Sequence, residues 1–370
     1  MPPLRVATAH ISPIFLSASQ TTSKLLSLIP LASSHSASLL VFPESFIPAF
    51  PIWSSLRSPS SNHHLFNLMH SQSLTLSSPE FLSIRAAARR HRIAISVGFS
   101  ERAEGRTGTL WNSNCIIDET GEVVVRHRKL VPTFFEKLTW AQGDGAGLRV
   151  AEVGEGKARV GALICGENTN PLARYALMAQ GEQVHVSTWP GVWPTRFAGG
   201  QEAQTKAYDN VAANRIRAAA HCFEAKCFGV LAAGVVGRDA VEMCVQGAED
   251  EEGVRRTLEG ASRGASMFLD PTGAVLPAWT VNEQGEKTER EYLQHEEGLL
   301  FCDLDLTQCV EGKQYHDVVG GYQRLDVFQL KVDRTRPEPA TFVELETNVK
   351  SDSKNTDDKL GTDFAEVKGP

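Results

Sequence analysis

The sequence predicts an α/β layered fold, and three observations carry that expectation. Short strand-like runs alternate with helical segments along the chain. The runs are almost continuously apolar, as strands covered on both faces are. No Pro- or Gly-rich linker divides the body. Residues 4–10 read as a first strand and 21–36 as a helix. Leu39-Leu40-Val41-Phe42-Pro43 is a short buried strand that ends at Glu44. Residues 54–78, rich in Ser, Asn and His, read as a long loop with at most partial helix, of the kind that borders binding sites. A helix over 80–92 leads into a strand over 93–99. Strands over 111–117 and 122–126 flank the turn Asp118-Glu119-Thr120-Gly121 and make a hairpin. A loop over 129–147 precedes an apolar strand over 159–165 and a helix over 170–180. A strand over 184–188, a long Ala-rich helix over 201–226 and a strand over 228–233 follow. Strands over 266–269 and 298–303 complete the set. Residues 1–335 are expected to form one domain. From 336 to 370 the chain is rich in Asp, Lys, Ser, Thr and Asn, so a disordered or extended tail is expected there.

The 370 residues are 42% hydrophobic and 22% charged, enough apolar material for a full core. A net charge of -7 argues against nucleic acid as a partner. The densest basic run, Arg89-Arg90-His91-Arg92, reads as the solvated end of a helix. Met1-Pro2-Pro3-Leu4-Arg5 leads straight into a strand with no signal-peptide pattern, and no apolar run has the ~20 residues of a membrane span. Seven scattered cysteines fit reduced thiols and a cytoplasmic location better than a disulfide framework. Cys222 and Cys227, beside His221, lack further partners at metal-ligand spacing and read as core thiols.

Cys165 stands where an apolar strand, Val160-Gly161-Ala162-Leu163-Ile164, meets a glycine and a helix. A thiol at such a turn lies near backbone N–H groups that stabilise a thiolate or an oxyanion. Context alone leaves a catalytic and a buried structural thiol equally open. Glu44 also ends an apolar strand, where sites of α/β sheets gather, and a partly desolvated carboxylate there can act as a base. Lys129 ends a third strand. Beside a thiol its ammonium would favour the thiolate and a developing negative charge. The neighbouring Arg126, His127 and Arg128 read as an exposed basic cluster. Glu136, seven residues on, is placed to hold Lys129 by an ion pair.

Taken in order, Glu44, Lys129 and Cys165 resemble the Glu-Lys-Cys triad of the nitrilase superfamily. Four segments carry the resemblance: Phe42-Pro43-Glu44, His127 to Thr133, Gly161 to Glu167, and Tyr322 to Phe328. The run from Pro171 to Val186 is similar to the true nitrilases, fungal and plant ones included. Amidase and carbamoylase branches usually carry a Tyr-Asp pair after the cysteine. The resemblance implies a four-layer α-β-β-α sandwich and a hydrolase of organic nitriles that needs no metal or organic cofactor. It further implies a homo-oligomer, a dimer extending to a spiral. It makes Glu136 the family's second glutamate. Gly166-Glu167-Asn168 departs from the family's frequent Trp-Glu-His, and Gly320-Gly321-Tyr322 from its Gly-His-Tyr. Substrate contacts are expected from Trp189, Pro190 and Trp193, an aromatic-rich strand end for which core packing is an equal reading, and from Glu167. The alternatives are another carbon–nitrogen hydrolase such as an amidase or cyanide hydratase, a non-catalytic filament-forming scaffold, and a Cys–His enzyme. The intact triad speaks against the scaffold, and no histidine stands in a matching motif for the last.

Overall fold

The computed structural model describes residues 3–198, 208–282, 285–340 and 342–343. Its strands are β1 Leu4–His10, β2 Leu39–Val41, β3 Ala94–Arg102, β4 Leu110–Ile117, β5 Val123–Arg128, β6 Ala151–Val153, β7 Ala158–Ile164, β8 Val184–Trp189, β9 Phe228–Ala233, β10 Ser266–Leu269, β11 Ala278–Val281, β12 Lys287–Arg290, β13 Tyr292–Leu293 and β14 Gly298–Leu304. Its α-helices are α1 Ala18–Ser34, α2 His63–Gln72, α3 Pro79–His91, α4 Pro171–Met178, α5 Asn210–Ala225, α6 Arg238–Val245, α7 Glu251–Gly260 and α8 Gln308–Glu311.

Two mixed sheets form. One runs β12-β11-β14-β1-β2-β3-β4-β5 and the other β13-β10-β9-β8-β7-β6. Side chains alternate across each strand, so each sheet has two faces to cover. Val6, Val41 and Leu300 of the first sheet pack against Val160, Val186, Val230 and Phe268 of the second. The alternate residues Ala7, Leu40 and Ile95 face outward, onto Leu25 and Ile29 of α1 and Phe81 and Ile84 of α3. On the far side α5 covers Leu231 and Met267 with Ala218 and Cys222, and α4 covers Leu163 with Ala173 and Leu177. The result is an α-β-β-α sandwich, as expected.

β1, β2 and β3 are mutually parallel, as are β7, β8 and β9. β5 shares the direction of β3 because each is antiparallel to β4. The carboxyl ends of β2, β5, β7 and β8 therefore deliver Glu44, Lys129, Cys165 and Trp189.

Several elements escaped the sequence reading: β6, β11, β12, β13, α6 and α7. The strands among them are two to four residues long; β11, β12 and β13 lack the run of buried apolar residues that marks the four-residue β10, and β12 is exposed throughout. The long helix expected over 201–226 is observed as Asn210–Ala225, and 201–207 lie outside the described residues. The body and the tail separate as two units, Met1–Arg336 and Pro337–Pro370. Most of the expected tail lies outside the described residues. No helix among the described residues is long and apolar enough to cross a membrane.

The core is expected to dominate stability. Phe268→Ala, which empties a fully buried site between the sheets, should cost about 3–5 kcal/mol. Leu82→Ala, on the exposed side of α3, should change stability by less than ~0.5 kcal/mol. Urea denaturation of both variants checks this.

Candidate active site

Four ionisable groups meet in the interior. The Lys129 ammonium donates to Glu44 Oε1 at 2.9 Å and to Glu136 Oε1 and Oε2 at 2.9 and 2.7 Å. Cys165 Sγ and one carboxylate oxygen each from Glu44 and Glu136 lie within 4.8 Å of one another. All four side chains are buried. Each comes from a different local structure. Glu44 sits in a turn after β2, followed by Ser45 at φ +45°. This turn presses onto β3 at Gly98, where a Cβ would lie 2.3 Å from the Pro43 carbonyl oxygen, so only glycine permits the approach. Lys129 follows β5, its N–H held by Asn112 O at 2.8 Å. Glu136 lies on a short 3₁₀ turn, Phe134–Leu138, and accepts from Thr133 N at 3.1 Å. Cys165 opens another 3₁₀ turn at φ +51°, a left-handed conformation costing a non-glycine residue of order 1–3 kcal/mol.

The hydrogen bonds distinguish the two glutamates. Both Glu136 oxygens are taken by Lys129, and one also by Thr133 N. Glu44 Oε1 accepts from Lys129 and from Asn112 Nδ2 at 2.7 Å, whereas Oε2 has no partner among the described residues. Burial pushes the Glu44 carboxyl above its ordinary range, against the pull of Lys129. Burial, opposed by Lys129 and aided by the Glu44 charge, pushes Glu136 up to about 7. Burial and the charge of Glu44 push the Cys165 thiol well up, and Lys129 opposes them. The resting thiol is therefore protonated, facing a carboxylate with one oxygen free.

A second buried network braces the turn that carries Cys165. Glu167 accepts from Ile164 N at 2.8 Å, from Leu130 N at 3.4 Å and from His127 Nε2 at 2.9 Å. It ties the residues flanking Lys129 to the residue preceding Cys165. The expected substrate contact by Glu167 is thus not what the structure presents: the carboxylate is spent on this brace and does not line the cavity at Cys165. Asn168 Nδ2 donates to Cys165 O at 2.9 Å and Leu163 O at 3.3 Å. These two acceptors fix the amide orientation and leave Oδ1 to accept from His185 Nε2 at 2.8 Å. His185 Nδ1 meets Glu182 Oε1 at 2.9 Å, and the two imidazoles beside Glu182 hold its carboxyl down at about 2 against burial. His185 thus has both ring nitrogens taken up, one by Glu182 and one by Asn168. His221 stacks on it at 3.6 Å and meets Glu182 Oε2 at 2.6 Å. Burial and the neighbouring imidazole hold His221 down at about 4, so it is neutral. Sequence reasoning missed Asn168 as a brace and His185, Glu182 and His221 altogether. The Pro171–Val186 run contains two of them, but nothing local shows that they turn toward Cys165.

Two of these clusters have donor spacing suited to a metal ion: Glu44, Glu136 and Cys165, and Glu182, His185 and His221. The first already holds the Lys129 ammonium. The second is closed on itself, each carboxylate oxygen meeting one imidazole. Cys222 and Cys227 are buried, and His221 points to Glu182. The basic cluster expected before Lys129 is not exposed: Arg126 and Arg128 pair with the buried Glu101, and His127 is fully buried.

Cys165 opens onto a cavity of about 140 Å³ whose walls include Thr133, Gly166, Trp189, Pro190 and Trp193. Three of the residues expected to meet substrate are thus brought together. Gly166 faces Thr133, and a Cβ there would lie 2.7 Å from Thr133 Oγ1. A large ring at this position would require Thr133 to move.

A family model described as carbon-nitrogen hydrolase matches residues 5–314. A nitrilase of Pseudomonas syringae pv. syringae is 35% identical over 331 residues, 89% of each chain. An aliphatic nitrilase of Rhodococcus rhodochrous is 33% identical, covering 90% of this chain and 84% of its own. An arylacetonitrilase of Fusarium vanettenii is 29% identical, covering 91% and 94%. Among solved structures, the C. elegans NitFhit protein superposes with a TM-score of 0.61 at 16% identity, over 92% of this chain and 69% of that one. An amidase from Nesterenkonia sp. AN1, with an acetamide moiety added covalently at its active-site cysteine, gives 0.56 at 16% identity over 84% and 93%. These two likenesses concern the fold.

The Glu182 network makes the fold acid-labile, with a definite sign. Unfolded, His221 takes up a proton near 6.5, but folded it stays neutral to about 4. The unfolded chain thus binds more protons between those values, and stability falls as pH drops through that window, by up to about 1.4 kcal/mol per pH unit. Glu182 extends the loss from about 4.5 down to about 2, because its folded carboxyl stays ionised longer than the unfolded one. His10, held below its ordinary range by burial, adds a loss of the same sign. His221→Gln should reduce the slope of unfolding free energy against pH between 6.5 and 4, measured by urea denaturation. An unchanged slope would show that His221 is not the titrating group.

Proposed function

This chain belongs to the carbon–nitrogen hydrolase family, and we propose that it is a nitrilase, converting organic nitriles to carboxylic acids and ammonia. The observation that carries the reading is the Cys165 thiol gathered within 4.8 Å of the Glu44 and Glu136 carboxylates, with Lys129 held between the two and Glu44 Oε2 without a partner among the described residues. The nitrilase names of relatives at 29–35% identity over most of the chain support the same choice.

Glu44 takes the proton from Cys165, and the thiolate attacks the nitrile carbon to give a thioimidate. Lys129 and backbone N–H groups of the turn stabilise the developing negative charge. Water adds to the thioimidate, ammonia leaves, and a thioester remains. A second water, deprotonated by Glu44, releases the acid and restores the thiol. Expulsion of the thiolate from the tetrahedral intermediate would give an amide instead. Glu136 acts on Lys129, since neither of its oxygens is open to a proton from the thiol. Trp189, Pro190 and Trp193 shape the substrate cavity. Trp193 stacks on Phe135 at 4.4 Å, so core packing and pocket wall are one surface here.

The reading extends to residues 1–335 as the catalytic domain with 336–370 as a tail, and to a cytoplasmic enzyme, which seven free, buried cysteines support. It extends also to a homo-oligomer, a dimer growing to a filament. Leu172 on α4 and Ile216 and Phe223 on α5, all exposed, support association through the helices over the second sheet.

Cys165→Ala should abolish turnover of every nitrile while leaving the thermal midpoint within a few degrees. Lys129→Ala should reduce kcat/KM by about a thousandfold or more, and should also destabilise the fold, because two buried carboxylates lose their counter-ion. Ammonia, acid and amide released from aliphatic, aromatic and arylaceto- nitriles are the readout. Release of ammonia from amides but from no nitrile would instead identify an amidase.

A further inference from the structure

Arg217 is an unused cation in the wall of the cavity at Cys165. It projects from α5, and its guanidinium lies over the Trp189 ring at 4.6 Å. Its partners are all neutral: Nε donates to Ala213 O at 2.7 Å, and Nη2 to Tyr208 Oη at 2.7 Å and Asn214 Oδ1 at 3.3 Å. Among the described residues Nη1 makes no hydrogen bond and no carboxylate pairs with the side chain. Asn214 and Tyr208 line the same cavity. With Oδ1 and Oη occupied by Arg217, Asn214 offers its Nδ2–H₂ and Tyr208 its O–H, neither of which has an acceptor among the described residues. The cavity thus presents three unfilled donors, one of them charged, and no Asp or Glu lines it among the described residues. A half-buried guanidinium without a counter-ion is costly, and its planar fork matches a carboxylate.

We propose that Arg217, with Asn214 and Tyr208, forms a carboxylate subsite, and that the enzyme acts on compact nitriles bearing a carboxylate at the far end from the cyano group. This rests on the nitrile-hydrolysing reading above. The volume sets the scale: an engineered cavity of about 150 Å³ holds benzene, and a short-chain cyano carboxylate is of that size. Nitrile carbon at Cys165 and carboxylate at Arg217 would span the cavity, and Trp189 would flank the methylene chain.

The test compares 3-cyanopropionate with its isosteric neutral partner, 3-cyanopropanamide. The wild-type enzyme should favour the acid in kcat/KM by about 30-fold, the scale of a charge-assisted pair. Arg217→Gln should collapse that ratio to near one, chiefly by raising KM for the acid, and Arg217→Lys should restore part of it. An equal loss on both substrates, or a wild-type preference for the amide, would overturn the proposal, placing Arg217 at the thiol or in the fold. Calorimetry keeps the subsite separable from the chemistry. Cys165→Ala should bind 3-cyanopropionate, and Cys165→Ala/Arg217→Gln should not. Arg217-dependent binding without turnover of any nitrile by the wild type would sink the nitrilase reading and leave the subsite standing.

Discussion

The fully buried Lys129 ammonium is the constraint around which the rest is arranged. A lone charge in such an interior is untenable, and pairing it with one carboxylate still leaves donors unmet. Two glutamates meet this need, and they come from opposite directions: Glu44 from a turn after β2 and Glu136 from a 3₁₀ turn beyond β5. Their burial demands in turn that Asn112, Thr133 and the glycine at 98 stand where they do. The asymmetry between the glutamates follows from counting hydrogen bonds. Glu136 is saturated, and Glu44 keeps one oxygen open. A single proton can therefore move between Cys165 and Glu44 while the charge on Lys129 stays fixed, which suits a cycle that begins and ends with a neutral thiol.

Precision at Cys165 has a different origin. Cys165 occupies a strained backbone conformation, and strain persists only where the surroundings over-determine it. Here two braces do so from the two residues that follow Gly166. Glu167 reaches back to Ile164 and across to β5, so the turn and the Lys129 loop cannot move apart independently. Asn168 gathers the carbonyls of Leu163 and Cys165 and is itself anchored on His185. His185 is held in turn by Glu182, which also meets His221, so the brace rests on a closed buried set.

How much of this was legible follows from what each feature needs. Glu44, Lys129 and Cys165 announce themselves because each ends an apolar strand, and strand ends are read from short-range pattern. β1, β9 and β10 were read to the residue for the same reason. The braces were not legible, because hydrogen-bond pairing between residues 17 to 40 positions apart leaves no local trace. Glu167 was taken for a substrate contact because adjacency to a nucleophile does not show which way a carboxylate turns. Arg217 was invisible for a similar reason. On an Ala-rich helix it reads as one more solvated cation, and only the packing of α5 against β8 and β9 turns it toward Trp189. The strands β11 to β13 lack the buried apolar run that marks β10, which is no longer than β11 or β12.

The departure at Gly166-Glu167-Asn168 takes on a different meaning once the network is seen. An asparagine at 168 donates twice through one nitrogen and accepts through its oxygen, so that three of its four capacities are used. An imidazole in its place has only two nitrogens and cannot serve two carbonyls and a histidine donor at once. Asn168 is therefore matched to the His185–Glu182–His221 set beneath it, and replacing it by the histidine frequent in the family would require that set to change protonation or partner. Gly166 is matched above it, to Thr133, whose N–H helps hold Glu136. The two unusual residues thus belong to the support of the triad on either side of Glu167. The ring beside the thiol is that of Trp189, and the cavity carries no side chain at Gly166. Its chemical character comes from elsewhere, from Trp189 and the cationic face of α5.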